Sequence, residues 1–380
     1  MNDEQAFVPE EGEHTESKTK KRIAGAVGFI VTVALIAAAL LVYLYRDELS
    51  SIGQQPAAID AEAFTYENGS EQTFALVGDG LIMSLTSGFQ LMSGDGTALA
   101  KEIRAMSSPA VDACSDAALV FDIGGEGCYH VGTDGTVTEL EAGGSVITAA
   151  MGESGSFAVV TQESGYKGLI TVYNSECQEL FRWYSGVGYP LKVQLSPNGR
   201  RLAVLCAEEE GSTLHFFSLT ESEEQGYVSF ENELLVDMRY MSASRICLIS
   251  TSCAYFTDEE GAVQGVYDFD GQYLCGYTLE GDGFAALYLS PYSTGNDGSI
   301  VTLDTDGVLL GSAEVGSLTQ IAANGSRVLA AGGDYMTLYS DTLETLASHS
   351  GLVTAKSALL RSDGAVLLCY AYSADVYTFE

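Results

Sequence analysis

The chain is 380 residues long and strongly acidic, and both properties limit what it can do. Its 17 lysine and arginine residues against 52 aspartate and glutamate residues give a formal net charge of −35 at pH 7. This charge argues against nucleic-acid binding, because phosphate contacts need clustered cationic side chains. The chain has 46% hydrophobic residues, 42 glycines and only 6 prolines, which is typical of a folded, turn-rich protein rather than a disordered or collagen-like one.

Residues 23–45 form an uncharged apolar segment, IAGAVGFIVTVALIAAALLVYLY. As a helix rising about 1.5 Å per residue it would span roughly 34 Å, enough to cross a lipid bilayer. Basic residues at 18, 20, 21 and 22 precede it, whereas Asp47 and Glu48 follow Arg46, which predicts a cytoplasmic N-terminus. We therefore expect a single-pass protein of the cell membrane with its C-terminal domain outside the cell. A secretory signal cleaved after residues 37 to 39 is the alternative.

The segments that flank the apolar segment are short and polar. Residues 1–22 mix both signs of charge without apolar periodicity and are predicted to be a disordered cytoplasmic head. Residues 46–60 are predicted to be a tether. Residues 61–380 are then left to form one extracytoplasmic domain.

Short apolar or alternating runs fill residues 61–380, separated by turn sequences such as Gly-Asp-Gly, Thr-Asp-Gly and Asn-Gly. This pattern predicts antiparallel strands joined by tight turns. The first turn of each unit recurs about every 41 residues, near the length of a four-stranded propeller blade, at Asp79, Asp116, Glu153, Asn198, Ala243, Asp282, Asn324 and Asp363. An apolar run follows each mark and is predicted to be the buried second strand of a blade.

The repeat predicts an all-β fold, an eight-bladed β-propeller preceded by one transmembrane helix, with a seven-bladed ring as the alternative. After Asp363 the chain supplies only two more strands, whereas AEAFTYE near residue 64 precedes the first full unit. We expect this N-terminal strand to complete the last blade, which would remove unpaired sheet edges.

Two turns carry a resemblance to known repeats. LSPNGRRLAVL and LRSDGAVLLCY resemble the S-P-[DN]-G turn of WD40-like and bacterial surface-repeat propellers. The layout of head, span, tether and degenerate blades also resembles an uncharacterised family of membrane-anchored, propeller-like proteins of Gram-positive anaerobes, classed as a domain of unknown function. The resemblance implies the fold and brings no known activity.

No catalytic motif stands out, and we expect no catalytic residue, metal or cofactor. Quinoprotein propellers use recurrent tryptophan motifs, but Trp183 is the only tryptophan, and the four histidines have no zinc-ligand spacing. The Asp-Gly sequences at 304–307 and 268–271 could be fragments of calcium loops, but Asp-Gly turns explain them better. Among the eight cysteines, Cys206, Cys247 and Cys369 fit buried thiols, and the pairs Cys247–Cys253 and Cys114–Cys128 remain possible disulfides.

The loops that join second to third strands, and fourth strands to the next blade, should lie on one face of the propeller. The longest are residues 162–168, 185–190, 207–212 and 290–298. Because loops on rigid scaffolds often carry function, the sequence predicts a ligand-binding surface there, formed by Tyr166, Lys167, Trp183, Tyr184, Tyr189 and Tyr292. The predicted function is a binding or scaffolding module for an unknown protein or glycan, and a surface enzyme with a composite site near the propeller channel is the alternative.

Overall fold

The computed structural model describes residues 57–221 and 223–379, which form eight four-stranded antiparallel sheets. The predicted head, apolar segment and tether, residues 1–22, 23–45 and most of 46–60, lie outside the described residues. Within the described part of the chain, no helix is long and apolar enough to cross a membrane. The prediction of an eight-bladed propeller is confirmed, and the seven-bladed alternative is wrong.

The first described strand, β1 (Ala57–Thr65), is followed by the first four blades. Blade 1 contains β2 (Thr73–Val77), β3 (Gly80–Leu85), β4 (Gly88–Met92) and β5 (Ala98–Ile103). Blade 2 contains β6 (Pro109–Ala113), β7 (Ala117–Asp122), β8 (Cys128–Gly132) and β9 (Val137–Glu139). Blade 3 contains β10 (Val146–Met151), β11 (Phe157–Thr161), β12 (Gly168–Tyr173) and β13 (Glu179–Ser185). Blade 4 contains β14 (Tyr189–Leu195), β15 (Arg201–Glu208), β16 (Gly211–Ser218) and β17 (Glu223–Glu231).

The remaining blades follow in the same order. Blade 5 contains β18 (Asp237–Ser242), β19 (Arg245–Ile249), β20 (Cys253–Asp258) and β21 (Val263–Asp268). Blade 6 contains β22 (Tyr273–Thr278), β23 (Phe284–Ser290), β24 (Gly298–Asp304) and β25 (Leu309–Val315). Blade 7 contains β26 (Gln320–Asn324), β27 (Arg327–Ala331), β28 (Tyr335–Ser340) and β29 (Thr345–Ser350). Blade 8 contains β30 (Ser357–Leu360), β31 (Val366–Cys369), β32 (Ser373–Phe379) and β1.

The last blade closes the ring with both ends of the described chain. β1 is its outermost strand and pairs antiparallel with β32, with Phe64 opposite Ala374. The Tyr66 hydroxyl lies 2.6 Å from the Ser373 carbonyl oxygen and 3.0 Å from that of Tyr370, to which it can donate. The predicted completion of the last blade by the N-terminal strand is therefore confirmed.

Burial follows strand position within each blade. The second strands are the most buried, as in β3, β7 and β23, in which every residue is buried. Fourth strands such as β5 and β21 alternate between exposed and half-buried residues. A second strand is mostly apolar because its two faces pack against neighbouring blades, whereas a fourth strand lies at the rim and has one face in solvent.

The two Asp-Gly sequences considered as calcium-loop fragments form turns. The carboxylate of Asp304 accepts hydrogen bonds from the backbone amides of Asp306 and Val308 at 2.9 and 2.8 Å. That of Asp268 accepts one from the Asp270 amide at 2.7 Å. These carboxylates therefore stabilise the local backbone.

All eight cysteines are free thiols, so neither Cys247–Cys253 nor Cys114–Cys128 forms a disulfide. Burial raises the pKa of Cys128 and of Cys206 to about 12, which keeps both thiols protonated and unreactive at neutral pH. Cys114 and Cys177 are half-buried, and Cys275 is exposed.

Candidate functional site

The exposed tyrosines share one face of the propeller. Among the described residues, every strongly exposed tyrosine except Tyr227 lies in or beside the loops that join second to third strands or one blade to the next: Tyr166, Tyr184, Tyr189, Tyr273, Tyr292 and Tyr372. We call this surface the tyrosine face. The four loops named from the sequence all lie on it, as predicted.

Four of the predicted site residues come together where blades 3 and 4 meet. The ring centroids of Tyr166 and Tyr184 are 4.8 Å apart. The Lys167 ammonium donates a hydrogen bond to the Tyr189 hydroxyl at 3.0 Å and lies 4.4 Å from the centre of that ring. Because Tyr189 begins blade 4, this contact joins the two blades. Together with Val187, which is 70% exposed, these residues form what we call the blade 3–4 patch.

The backbone beneath the patch is held by short hydrogen bonds. The Lys167 amide donates to the Ser185 carbonyl oxygen at 2.8 Å. The buried Ser185 hydroxyl lies 2.6 and 2.8 Å from the carbonyl oxygens of Val187 and Gly188. Gly188 has a φ of +74°, and a Cβ there would lie 2.9 Å from the Cβ of Cys206, so only glycine fits. The patch is therefore preorganised, which lowers the entropic cost of binding.

Trp183 and Tyr292 are placed differently from the other four predicted residues. Side chains alternate along a strand, so Trp183 points away from its neighbour Tyr184 and packs between blades. Its ring lies 4.9 Å from that of Phe217 and 5.1 Å from that of His215. Tyr292 is 56% exposed on the same face, but it belongs to the β23–β24 loop of blade 6.

The immediate surroundings of the patch are acidic. Glu163 lies in the Tyr166 loop, and Glu208, Glu209 and Glu210 are exposed at the β15–β16 turn. β15 pairs with β14 so that Tyr189 lies opposite Ala207. An apolar, aromatic centre with a charged rim has the composition of a protein-binding surface, in which tyrosine contributes much of the affinity.

The alternative, a surface enzyme, requires polar side chains to converge near the channel. The structure does bring charged residues of several blades around a channel cavity, and sequence reasoning missed all of them. The signal for them is weak, since most are isolated polar residues within first strands such as PAVDA, YPLKVQL and DMRYMS, and Glu280 lies just after the first strand of blade 6. Within residues 57–221 and 223–379, no group of histidine, cysteine and acidic side chains is arranged to hold a metal ion.

The fold is an eight-bladed β-propeller, and solved propellers, WD40 domains among them, are similar to it. The C-terminal WD40 domain of Sif2 is similar in structure, with a TM-score of 0.60, 13% identity, and coverage of 86% of this chain and 99% of that one. Sqt1 of Chaetomium thermophilum, solved bound to the N-terminus of the ribosomal protein L10, has a TM-score of 0.58 and 11% identity, covering 84% of this chain and 99% of its own. The quinohemoprotein alcohol dehydrogenase ADHIIG of Pseudomonas putida HK5 has a TM-score of 0.55 and 9% identity, covering 84% and 76%. At these identities the likeness shows the fold alone.

The chain belongs to DUF5711, a family of unknown function whose model matches residues 60–344. The family expected from the sequence, a propeller-like domain of unknown function, is thereby confirmed. The search of curated protein sequences found no significant relative.

Proposed function

We propose that the chain is a membrane-anchored, extracytoplasmic propeller that binds a partner protein through the blade 3–4 patch. The observation that carries the binding role is the convergence of Tyr166, Lys167, Tyr184 and Tyr189 on a rigid backbone. Tyrosines provide a large contact area and lose little conformational entropy on binding. The structurally similar Sqt1 propeller, solved with the N-terminus of another protein, supports a protein segment as the ligand.

The partner's chemistry follows from the acidic rim. A segment with apolar side chains for the tyrosines and basic side chains for Glu208, Glu209 and Glu210 would match the patch in shape and charge. A glycan is the other candidate, because aromatic rings also pack against sugar faces. We favour a protein, since the rim carries charge that a neutral sugar would not use.

The membrane anchor and the outward orientation are supported by the sequence. Residues 23–45 carry no charge, and basic residues precede them directly. Protease added to intact cells should degrade the propeller and leave a short protected fragment that contains residues 1–45. Protection of the propeller until the cells are permeabilised would contradict the proposed orientation.

Site-specific photo-crosslinking tests the binding role in intact cells. A photoreactive amino acid at Tyr184 should yield a discrete protein adduct. The same amino acid at Tyr227, which is 68% exposed on the outer strand β17, should not yield that adduct. Equal adducts from both positions, or none from Tyr184, would contradict the assignment of the patch, and a carbohydrate adduct at Tyr184 alone would identify a glycan ligand.

A further inference from the structure

The propeller channel contains a cavity of about 430 Å³. It is lined mainly by the first strands of blades 2 to 6, β6, β10, β14, β18 and β22. This volume lies within the range of small-molecule sites. The cavity is separate from the blade 3–4 patch and shares no lining residue with it.

Two ion pairs account for the basic side chains in the cavity. The Lys192 ammonium lies 3.3 Å from the Asp237 carboxylate, which also accepts a hydrogen bond from the Tyr277 hydroxyl at 2.9 Å. The Arg239 guanidinium donates to both oxygens of the Glu280 carboxylate, each at 2.6 Å. Each basic group therefore has its own carboxylate.

Asp112 is the remaining carboxylate in the cavity lining. It accepts hydrogen bonds from the backbone amides of Met151 at 2.8 Å and Ala113 at 3.1 Å. No lysine, arginine or histidine nitrogen of the described residues lies within 4.0 Å of it. The cavity thus contains one more carboxylate than cationic groups.

The surroundings of Asp112 make this excess charge costly. The Asp112 side chain is half-buried, and its accessible surface faces the cavity. Burial in the protein raises the pKa of its carboxyl group. The Met151 amide, Arg239 and Lys192 partly oppose the shift. A cation in the cavity would stabilise the ionised form of Asp112.

Further carboxylates occupy the first turns of the blades, where each chain segment leaves the channel. They are exposed at Asp79, Asp116, Glu153, Asp282 and Asp363. We call the face that carries these turns the acidic face. Glu280 belongs both to this face and to the cavity lining. Arginines offset part of this charge, since the Arg361 guanidinium lies 3.6 Å from the Asp79 carboxylate and 3.3 Å from that of Asp363. The remaining excess of negative charge near the mouth of the channel raises the local concentration of cationic ligands.

We infer that the channel cavity binds a primary ammonium group, with Asp112 as its counter-ion. An ammonium has three N–H donors, and the neighbouring first strands place the Thr148 hydroxyl and the Gln194 amide in the same lining as Asp112. Ala110 and Ile123, which line the cavity and are not fully buried, would contact a short alkyl chain. The ammonium could come from a free small amine or from a lysine side chain of a peptide, and neither source requires the blade 3–4 patch.

Calorimetry on the full chain in detergent micelles tests this inference with n-pentylamine, 1-pentanol and a short lysine-containing peptide as probes. We expect an ammonium probe to bind and pentanol not to bind. Asp112→Asn keeps an oxygen for the Met151 amide but removes the charge, and should weaken ammonium binding about 10-fold to 100-fold. Asp79→Asn, on the acidic face but outside the cavity lining, should stay within about twofold of the unaltered chain.

The outcomes separate the sources of the ammonium and decide the inference. Binding of pentylamine supports a free amine, and binding of the peptide alone supports a lysine side chain. The inference is overturned if neither ammonium probe binds at up to about 10 mM, if pentanol binds as tightly, or if folded Asp112→Asn binds like the unaltered chain. Should Asp112→Asn fail to fold, Thr148→Val replaces it, and unchanged binding in that variant overturns the inference instead.

Discussion

The two faces of the propeller expose different chemistry on the same repeating scaffold. On the tyrosine face the exposed side chains include Tyr166, Tyr184 and Tyr189, and on the acidic face the first turns of most blades carry a carboxylate. Aromatic side chains act at contact distance by burying apolar area, whereas carboxylates attract cations over about a Debye length. Under the proposed function and the inferred channel site, one ring would bind a protein on one side and admit a small cation on the other.

Breaking the ring should disrupt both faces together and give the largest effect. Phe64 is fully buried in β1, whereas Ile59 in the same strand is 51% exposed. We expect Phe64→Ala to lower the free energy of unfolding by about 3–5 kcal/mol, and Ile59→Ala by less than about 1 kcal/mol. Denaturant titration measures both, and equal losses would contradict the role of Phe64 in closing the ring.

A change confined to the tyrosine face should weaken partner binding there and leave ligand binding in the channel unchanged. Gly188→Ala forces alanine into a left-handed backbone against Cys206 and should cost about 1–3 kcal/mol. Gly186 lies two residues away, has no left-handed φ, and has open space for a Cβ, so Gly186→Ala is the matched control and should change little. The Gly188→Ala variant should capture less of the partner protein than the unaltered chain does, and it should still bind an ammonium probe in the channel.

Acidification should lower the stability of the propeller by protonating a histidine that is packed between blades, on neither of the two faces. His130 stacks on Phe157 at 5.3 Å, and burial lowers its pKa. The unfolded chain therefore takes up a proton at higher pH than the folded one. The stability due to neutral His130 is present above about pH 6.5 and is lost as the pH falls from there toward the lower folded pKa.

His130→Phe removes this proton uptake and retains an aromatic ring. The difference in unfolding free energy between the unaltered chain and His130→Phe should shift with pH by less than about 1 kcal/mol, because the His130 ring retains partial solvent contact. Using the difference cancels the pH-dependent stability that other groups contribute, such as Asp112, whose pKa burial raises. A difference that is constant from pH 8 to pH 5 would contradict the assignment.

The smallest effect concerns thiol chemistry on the tyrosine face. Cys275 is exposed and lies close to the Tyr292 carbonyl oxygen, whereas Cys247 and Cys369 are fully buried. A maleimide should label Cys275 first in the native protein and the buried thiols only after unfolding, as peptide mass mapping would show. Early labelling of Cys247 would indicate a looser blade than the structure has.

The sequence predicted the blades well because their signals are local. Turn residues such as Asp79 and Asp116 are followed by fully apolar runs, and these became the first turns and buried second strands. The completion of the last blade by the N-terminal strand β1 followed from the number of strands at each end of the domain. Tyr166, Lys167, Tyr184 and Tyr189 could be predicted to share a surface, because strand order alone places their loops on one face.

The channel site could not be predicted, because its geometry depends on the closed ring. Asp112, Lys192 and Arg239 lie on different blades, and no local pattern connects them. The role of Trp183 in blade packing depended on which side of β13 faces blade 4, which the single strand does not reveal. Local periodicity thus predicts elements, and ring closure determines which of their side chains meet.

Equilibrium binding of the Tyr184-crosslinked partner to two variants tests the central claim most directly. Tyr166→Ala with Tyr184→Ala removes the paired rings of the blade 3–4 patch, and Tyr227→Ala removes a tyrosine that is at least as exposed on the outer strand. We predict that the double variant binds at least about 30-fold more weakly than the unaltered chain, and that Tyr227→Ala binds within about twofold of it. Unchanged affinity in a folded double variant would contradict the proposal that the tyrosine face is the protein-binding surface.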